Sequence, residues 1–156
     1  METIAEFTAK NACQGMVQWI GVRPGRRQPL RAVDRVSLSL QGIGGDHYQS
    51  GGKRSVTLIQ YEHLSVIASL LGRDSIYPGD LRRNFVVSGI NLLGLRNRKF
   101  RLGASVLEGT GLCAPCSRME EIFGPGGYTA VRGHGGITAR VIEEGVVSIS
   151  DEAIPV

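Results

Sequence analysis

The chain has 156 residues, 42% of them hydrophobic, and a formal net charge of +4 at pH 7. A chain of this length buries roughly 70% of its unfolded surface, so we expect one domain over residues 1–156 that needs no disulfide or metal for stability. No stretch approaches the roughly 20 apolar residues of a transmembrane helix, which excludes a helical membrane span. An odd number of cysteines and an N-terminus without a long apolar run favour a cytoplasmic location.

The basic residues limit the classes of partner. Only 3 of the 18 are lysines, and arginine is the planar, multidentate donor that suits phosphate and carboxylate groups. These charges fall in short, scattered groups with few aromatic residues between them, and no recognition-helix pattern is present. We therefore expect a phosphorylated ligand, and neither nucleic acid nor a membrane as partner.

Frequent turns and short apolar runs predict a mostly β domain. There are 22 glycines, and short runs of Val, Ile and Leu lie between them. Residues 1–15 are polar and irregular, and strands are predicted over residues 16–22, 36–40 and 55–59. One main helix is predicted over residues 61–71, because Leu64, Ile67 and Leu71 recur at helical spacing and Gly72 suits the helix end. His63 is expected on the helix surface.

The second half of the chain is predicted to combine short strands with brief helical turns. Strands are expected over residues 85–87, 90–95, 100–102 and 104–108, followed by a short helix over residues 119–123. The last two predicted strands, 138–143 and 146–149, are separated only by Glu144 and Gly145. We expect this pair to close a barrel.

Two polar segments are candidates for ligand binding. Residues 42–54 contain five glycines, two cations and the Asp46-His47 pair, which is more than a hairpin connection needs. Their spacing matches neither the Rossmann nor the P-loop pattern, and His47 is either a ligand-binding or a hydrogen-bonded structural histidine. The second segment, residues 82–84 (Arg-Arg-Asn), offers bidentate donors and an amide to an oxoanion, with plain exposed loop charge as the alternative.

Cys113 and Cys116 form the most conspicuous chemical motif, a C-x-x-C. Pro115 disfavours helical backbone at the residue before it, so a turn carries the motif and presents Cys116 at a strand end. Arg118 nearby favours the thiolate, which is the form that attacks or binds metal. A zinc site lacks a second ligand pair, and a thioredoxin-like pair lacks the βαβ setting. Two ordinary buried cysteines are the alternative to a reactive thiol.

From residue 42 to residue 153 the order of motifs resembles the MOSC domain, the family named for the C-terminal domain of molybdenum-cofactor sulfurase. The resemblance rests on five segments taken together. They are residues 45–47 (GDH) with Gly51, residues 78–85 (PGDLRRNF), the step 102–103 (LG), the cysteine turn 113–116 (CAPC), and residues 135–141 (GGITARV) with Gly145. The resemblance implies a MOSC-like β-barrel with one main helix and short helical turns.

The resemblance also implies a pocket for molybdenum cofactor. In that reading Cys116 is the molybdenum ligand and the catalytic residue, since a soft thiolate suits such a metal. Arginines suit the phosphate of the pterin. The residues implied to hold the cofactor are Arg82, Asn84, Arg83, His47 and Ser117, and Arg83 stands where some relatives have proline.

Two activities follow from the resemblance. The first is reduction of an N-hydroxylated small molecule with electrons from a separate donor protein, since the chain has no flavin or iron–sulfur motif. The second is a carrier role, in which Cys116 exchanges a persulfide with a sulfur donor or acceptor, or in which the domain delivers cofactor without turnover. The domain resembles a minimal form without the extensions of larger relatives, and forming a homodimer is one way for it to retain cofactor.

Overall fold

The computed structural model describes residues 1–156, which form eleven strands, four α-helices and two short 3-10 turns. The strands are β1 Gly15–Val22, β2 Arg31–Ala32, β3 Arg35–Ser39, β4 Gly42–Ile43, β5 Val56–Gln60, β6 Phe85–Ser88, β7 Lys99–Leu102, β8 Ser105–Leu112, β9 Ile137–Glu143, β10 Gly145–Ser148 and β11 Glu152–Pro155. The helices are α1 Ile4–Thr8, α2 Tyr61–Leu70, α3 Ser117–Phe123 and α4 Gly127–Val131, and the 3-10 turns are Pro78–Leu81 and Leu92–Leu95. None of these helices combines the length and the apolar character that a membrane crossing requires.

Seven strands close into a barrel, which confirms the predicted fold class. Their order is β11-β7-β8-β9-β5-β6-β1, and β1 pairs back onto β11 through Gly15 with Ala153 and Met16 with Glu152. Only the β5–β6 pair is parallel, because α2 and the first 3-10 turn carry the chain across between them. Closure leaves the seven strands without a free edge.

The predicted barrel-closing pair is wrong. β9 lies in the barrel, but β10 pairs with β3 in a separate three-stranded sheet of order β10-β3-β4. Only Glu144 separates β9 from β10, and the tightest common hairpin needs two loop residues. The chain therefore leaves one sheet and enters the other, and β11 closes the barrel instead.

Three other segments differ from the sequence prediction. Residues 90–95 hold a 3-10 turn rather than a strand, because the Asn91 side chain accepts from the Leu93 N–H and caps the turn. Residues 1–15 contain α1, whose Thr3 and Glu6 form a capping box. Helix α4 was not predicted, because its sequence begins in a glycine-rich run.

Two apolar clusters hold the fold together. A cluster of 21 buried residues, including Phe85 and Phe100, joins the barrel interior to the three-stranded sheet. A second cluster of 8 lies between the barrel wall and the helices. Helix α2 contributes Ile67 to the second cluster with Leu64 and Leu71 packed against it, as the helical spacing predicted. This second cluster places α3, and with it the end of the cysteine turn, against the barrel.

Candidate functional site

The cysteine turn joins β8 to α3. Cys113 is buried, and its backbone N–H donates to the Gly136 carbonyl at 2.9 Å. Cys116 is exposed and precedes the first residue of α3 with extended backbone. The prediction that a turn carries the motif is confirmed, but Cys116 lies directly before α3 rather than at a strand end, and it is Cys113 that follows β8. The two thiols also differ in access, because Cys116 is exposed to solvent and Cys113 is buried.

Arg83 fixes the cysteine turn through hydrogen bonds to backbone carbonyls. Its guanidinium is buried and donates to the carbonyls of Gly135 at 2.9 Å, Leu81 at 3.0 Å, and Cys113 and Ala114 at 3.2 Å each. Burial lowers the pKa of Arg83, while the neighbouring Cys113 and Cys116 act to raise it. Four of its five N–H groups are thus committed to backbone. Arg83 positions the turn, and the cofactor contact expected for it stays a prediction.

Arg82 points the other way, into a cavity of about 150 Å³. It follows the 3-10 turn Pro78–Leu81 in left-handed conformation, with φ of 59°, and its Nη1 donates to the Gln28 carbonyl at 2.8 Å. The cavity, called here the arginine cavity, is lined by Arg27, Pro29, Leu30, Tyr77, Gly79, Asp80, Arg82, Arg118 and Ile122. Because the backbone is left-handed at Arg82, the side chains of the adjacent arginines point apart: Arg82 lines the arginine cavity and Arg83 contacts the cysteine turn.

The arginine cavity has a strongly positive lining. Burial lowers the pKa of Arg82, repulsion from Arg118 and Arg23 lowers it further, and Cys116 and Asp46 oppose the shift. One acidic residue, Asp80, stands against three arginines in the lining. Such crowding of like charge favours binding of an anion, which would relieve the repulsion.

Arg118 supplies an unused donor at this cavity. Its Nη1 donates to Glu121 at 2.9 Å and its Nη2 to the Arg27 carbonyl at 3.5 Å. The Nε atom is buried and has no hydrogen-bond partner. A buried N–H without an acceptor is costly, so an acceptor oxygen brought to this atom by a ligand would stabilise the site.

Asp46 anchors the loop that the sequence analysis singled out. Its side chain is buried and accepts from the Arg23 backbone N–H at 2.7 Å, from Arg23 Nε at 3.2 Å and from the Tyr48 N–H at 3.2 Å. His47 is exposed, and its Nδ1 lies 3.2 Å from the Arg23 carbonyl oxygen. The loop therefore holds Arg23 beside the arginine cavity through the pairing of Asp46 with Arg23. The two residues are 23 positions apart, so no local sequence pattern predicts this contact.

Asn84 lies at the centre of this arrangement and is fully buried. Its Nδ2 donates to the Gly21 carbonyl at 3.1 Å and to Asp46 Oδ1 at 3.3 Å. Its Oδ1 accepts from the Thr57 N–H at 3.2 Å and from the Thr57 hydroxyl at 3.0 Å. All four hydrogen-bonding positions of the amide are occupied within the protein. Asn84 uses its amide to support Asp46 and the strands, and the cofactor contact expected of it stays a prediction.

The remaining predicted site residue, Ser117, is the first residue of α3 and is exposed next to Cys116. Together with Arg82 and His47 it stays accessible to a ligand, whereas Arg83 and Asn84 do not. Sequence reasoning could not place Arg27 beside Arg118 or find the unpaired Nε of Arg118. The only sequence signal for this part of the site was that Arg27 and Arg118 are both basic, and they lie far apart in the chain.

Acid is expected to destabilise the folded protein by protonating Asp46. Burial acts to raise the pKa of Asp46, but the hydrogen bonds from Arg23, its charge and the Tyr48 N–H outweigh burial, so the pKa lies below its ordinary value of 3.8. The resulting stabilisation is fully present above pH 3.8 and is lost as pH falls through the lower folded-state value. Asp46→Asn should cost about 2 kcal/mol at pH 7.

Urea unfolding at pH 7 and at stepwise lower pH down to 3 measures this effect. The stability gap between Asp46→Asn and the native protein should narrow as the native carboxylate is protonated. Asp34→Asn is the matched control, because that carboxylate has no salt bridge in the structure. A gap that stays constant down to pH 3 would contradict the role given to the Asp46 charge.

Comparison with known proteins agrees with this architecture. YuaD from Bacillus subtilis superposes with a TM-score of 0.78 at 19% identity, covering 90% of this chain and 94% of that one. YiiM from Geobacillus stearothermophilus superposes with a TM-score of 0.77 at 17% identity, covering 91% of this chain and 75% of that one. YiiM from Escherichia coli superposes with a TM-score of 0.71 at 20% identity, covering 92% of this chain and 69% of that one. At these identities the likeness establishes the fold alone, and no functionally curated protein is significantly similar in this comparison.

The sequence itself carries the family assignment. Residues 44–153 match the MOSC domain as a family, which is most of the chain. This range contains the Asp46 loop, the Arg82–Asn84 segment and the cysteine turn. It also contains every strand of the barrel except β1 and the last two residues of β11. The predicted resemblance is confirmed, and the chain belongs to the MOSC domain family.

Proposed function

We propose that this protein binds molybdenum cofactor, with Cys116 as the molybdenum ligand and the arginine cavity as the site of the cofactor's phosphate. The observation that carries the proposal is the unpartnered Nε of Arg118, buried at a cavity lined by three arginines and two residues along the chain from an exposed thiol. The family is associated with this cofactor, which supports the same choice.

The residues present fit the two ends of the cofactor. A volume of about 150 Å³ is below the roughly 300–1,000 Å³ of pockets that enclose a whole organic ligand, so this cavity suits a terminal phosphate. Arg82 and Arg118 can donate to phosphate oxygens in bidentate fashion. The thiolate of Cys116 is a soft ligand of the kind that suits molybdenum. Arg83 keeps the turn that carries this thiol in place.

The activity we propose is reduction of an N-hydroxylated compound. When bound, the cofactor supplies a two-electron metal centre for cleaving the N–O bond. The overall reaction takes two electrons and two protons, converts the N-hydroxylated group to the N–H compound and releases water. A separate donor protein supplies the electrons, because the sequence has no flavin or iron–sulfur motif. Exposure of Cys116 keeps the site open to both substrate and donor.

The role of Arg118 tests the phosphate site. The protein is expressed in a host that makes the cofactor, and bound molybdenum and pterin are measured per chain. Arg118→Gln should lower retention about tenfold, since it removes a charge-assisted hydrogen bond of about 1.5 kcal/mol or more. Arg140→Gln is the matched control, because Arg140 pairs with Glu108 on the barrel wall. Equal retention in Arg118→Gln and the native protein would exclude the arginine cavity as the phosphate site.

A carrier role is the second candidate, favoured by the exposure of the Cys116 thiol. In that case the outer sulfur of a donor persulfide transfers to the Cys116 thiolate, and the donor leaves as its own thiolate. Cyanide-labile sulfur on protein that holds no molybdenum would support the carrier. Bound molybdenum with turnover of a hydroxylamine and a supplied reductant would support the enzyme.

A further inference from the structure

We propose that a second cavity is a binding site for a small organic anion with an apolar body. The cavity has a volume of about 350 Å³ and shares no lining residue with the arginine cavity. It is lined by Gln60, His63, Asn91, Leu92, Leu93, Leu112, Cys113, Ala114, Pro115, Tyr128, Arg132 and residues 133–136. We call it the histidine cavity, and its role does not depend on the function proposed above.

The apolar part of the ligand is indicated by the cavity wall. Leu93, Leu112 and Tyr128 line the cavity, yet they remain 47%, 55% and 42% exposed. Three large apolar side chains exposed around one concave site are typical of a ligand pocket, because a bound molecule would remove them from water. A volume of this size accommodates a ring with a short chain.

The polar end of the cavity holds two facing histidines. The rings of His63 and His134 stand edge to face with their centroids 5.2 Å apart. His134 Nδ1 is buried and has no hydrogen-bond partner. His63 is half-buried here rather than on the surface, which corrects the sequence prediction. Burial and then His134 lower the pKa of His63, against the opposing effect of Glu62.

Charge decides the class of ligand. Arg132 lines the cavity, is exposed and forms no salt bridge. No aspartate or glutamate lines the cavity. A carboxylate can therefore pair with Arg132, and a cationic ligand finds no counter-charge in the lining.

The histidine cavity also borders the cysteine turn. Its lining includes Cys113, Ala114 and Gly135, whose carbonyls all accept from Arg83. The Arg83 guanidinium thus positions both part of this cavity's lining and the segment that carries Cys116. A ligand bound here contacts that segment directly.

A pair of probes tests the proposal. Metal-free protein is titrated with 4-phenylbutyrate and with the neutral 4-phenylbutanamide, and amide shifts are followed by ¹⁵N–¹H NMR. The carboxylate should shift the amides of residues 133–136 and bind about tenfold more tightly than the amide. Arg132→Gln should reduce carboxylate affinity about tenfold. Arg118→Gln should leave it within about twofold, since the two cavities are separate.

Three results would overturn the proposal. Equal affinity for the two probes would remove the anion preference. Loss of binding in Arg118→Gln with full binding in Arg132→Gln would move the anion to the arginine cavity. Absence of shifts around residues 133–136 with both probes would show that the histidine cavity does not take this class of ligand. Arg132 is exposed, so the variant should keep the native spectrum, which the same measurement verifies.

Discussion

Replacing Cys116 by serine is expected to abolish molybdenum retention while leaving the fold intact. A serine hydroxyl is a hard oxygen that stays protonated at neutral pH, so it is a much weaker ligand for this metal than a thiolate. Cys116 is exposed, and no hydrogen bond of its side chain supports the turn, so stability should change by less than about 0.5 kcal/mol. Bound molybdenum, measured by elemental analysis of protein from a cofactor-producing host, should fall to background.

Cys113→Ser is the matched control for this experiment. Cys113 lies three residues away in the same turn, but its side chain is buried and its backbone pairs with Gly136. It should retain molybdenum and lose about 1 kcal/mol of stability, because a hydroxyl replaces a buried thiol. Equal molybdenum in native protein and Cys116→Ser would remove Cys116 as the ligand. Loss of metal only in Cys113→Ser would assign the ligand to the buried thiol.

Replacing Arg83 by methionine should cause the largest loss of stability. The substitution keeps most of the apolar stem but removes four hydrogen bonds to backbone carbonyls. Part of the loss is offset because the buried charge no longer needs to be desolvated. The carbonyl of Gly135 lies on a buried residue and loses its Arg83 partner. We expect a net cost of about 3 kcal/mol in the free energy of unfolding.

Arg82→Met is the natural comparison, because the neighbouring arginine is half-buried and donates to a single carbonyl, that of Gln28. It should cost less than about 1 kcal/mol. Both values come from urea denaturation followed by circular dichroism. Arg83→Lys should rescue little, since an ammonium cannot reproduce the planar fork that reaches three chain segments. Similar losses for Arg82→Met and Arg83→Met would contradict the positioning role of Arg83.

Local elements of this protein could be predicted from sequence because their causes are local. The alternation in β3 and the helical spacing of Leu64, Ile67 and Leu71 give bounds within a residue or two of those observed. The turn at Pro115 follows from the proline itself. β11 went unpredicted because four residues ending in proline have little strand propensity alone, and pairing with β1 and β7 stabilises them.

The candidate site was predictable only as a set of residue types. Cys116 and Arg82 could be singled out because a reactive thiol and an anion-binding guanidinium are recognisable in sequence. The opposite directions of Arg82 and Arg83 could not, since they depend on a left-handed residue at the end of a 3-10 turn. The complete use of the Asn84 amide depends on Gly21, Asp46 and Thr57, which lie far apart in the chain.

The sequence by itself determined the class of fold, the bounds of the main strands and helix, and the presence of a thiol near arginines, because periodicity and residue chemistry act over a few positions. The tertiary structure alone decided which strand closes the barrel, which arginine is buried, and where the two cavities lie beside the cysteine turn. These features depend on contacts between segments distant in sequence, and such contacts form only when the closed barrel brings those segments together.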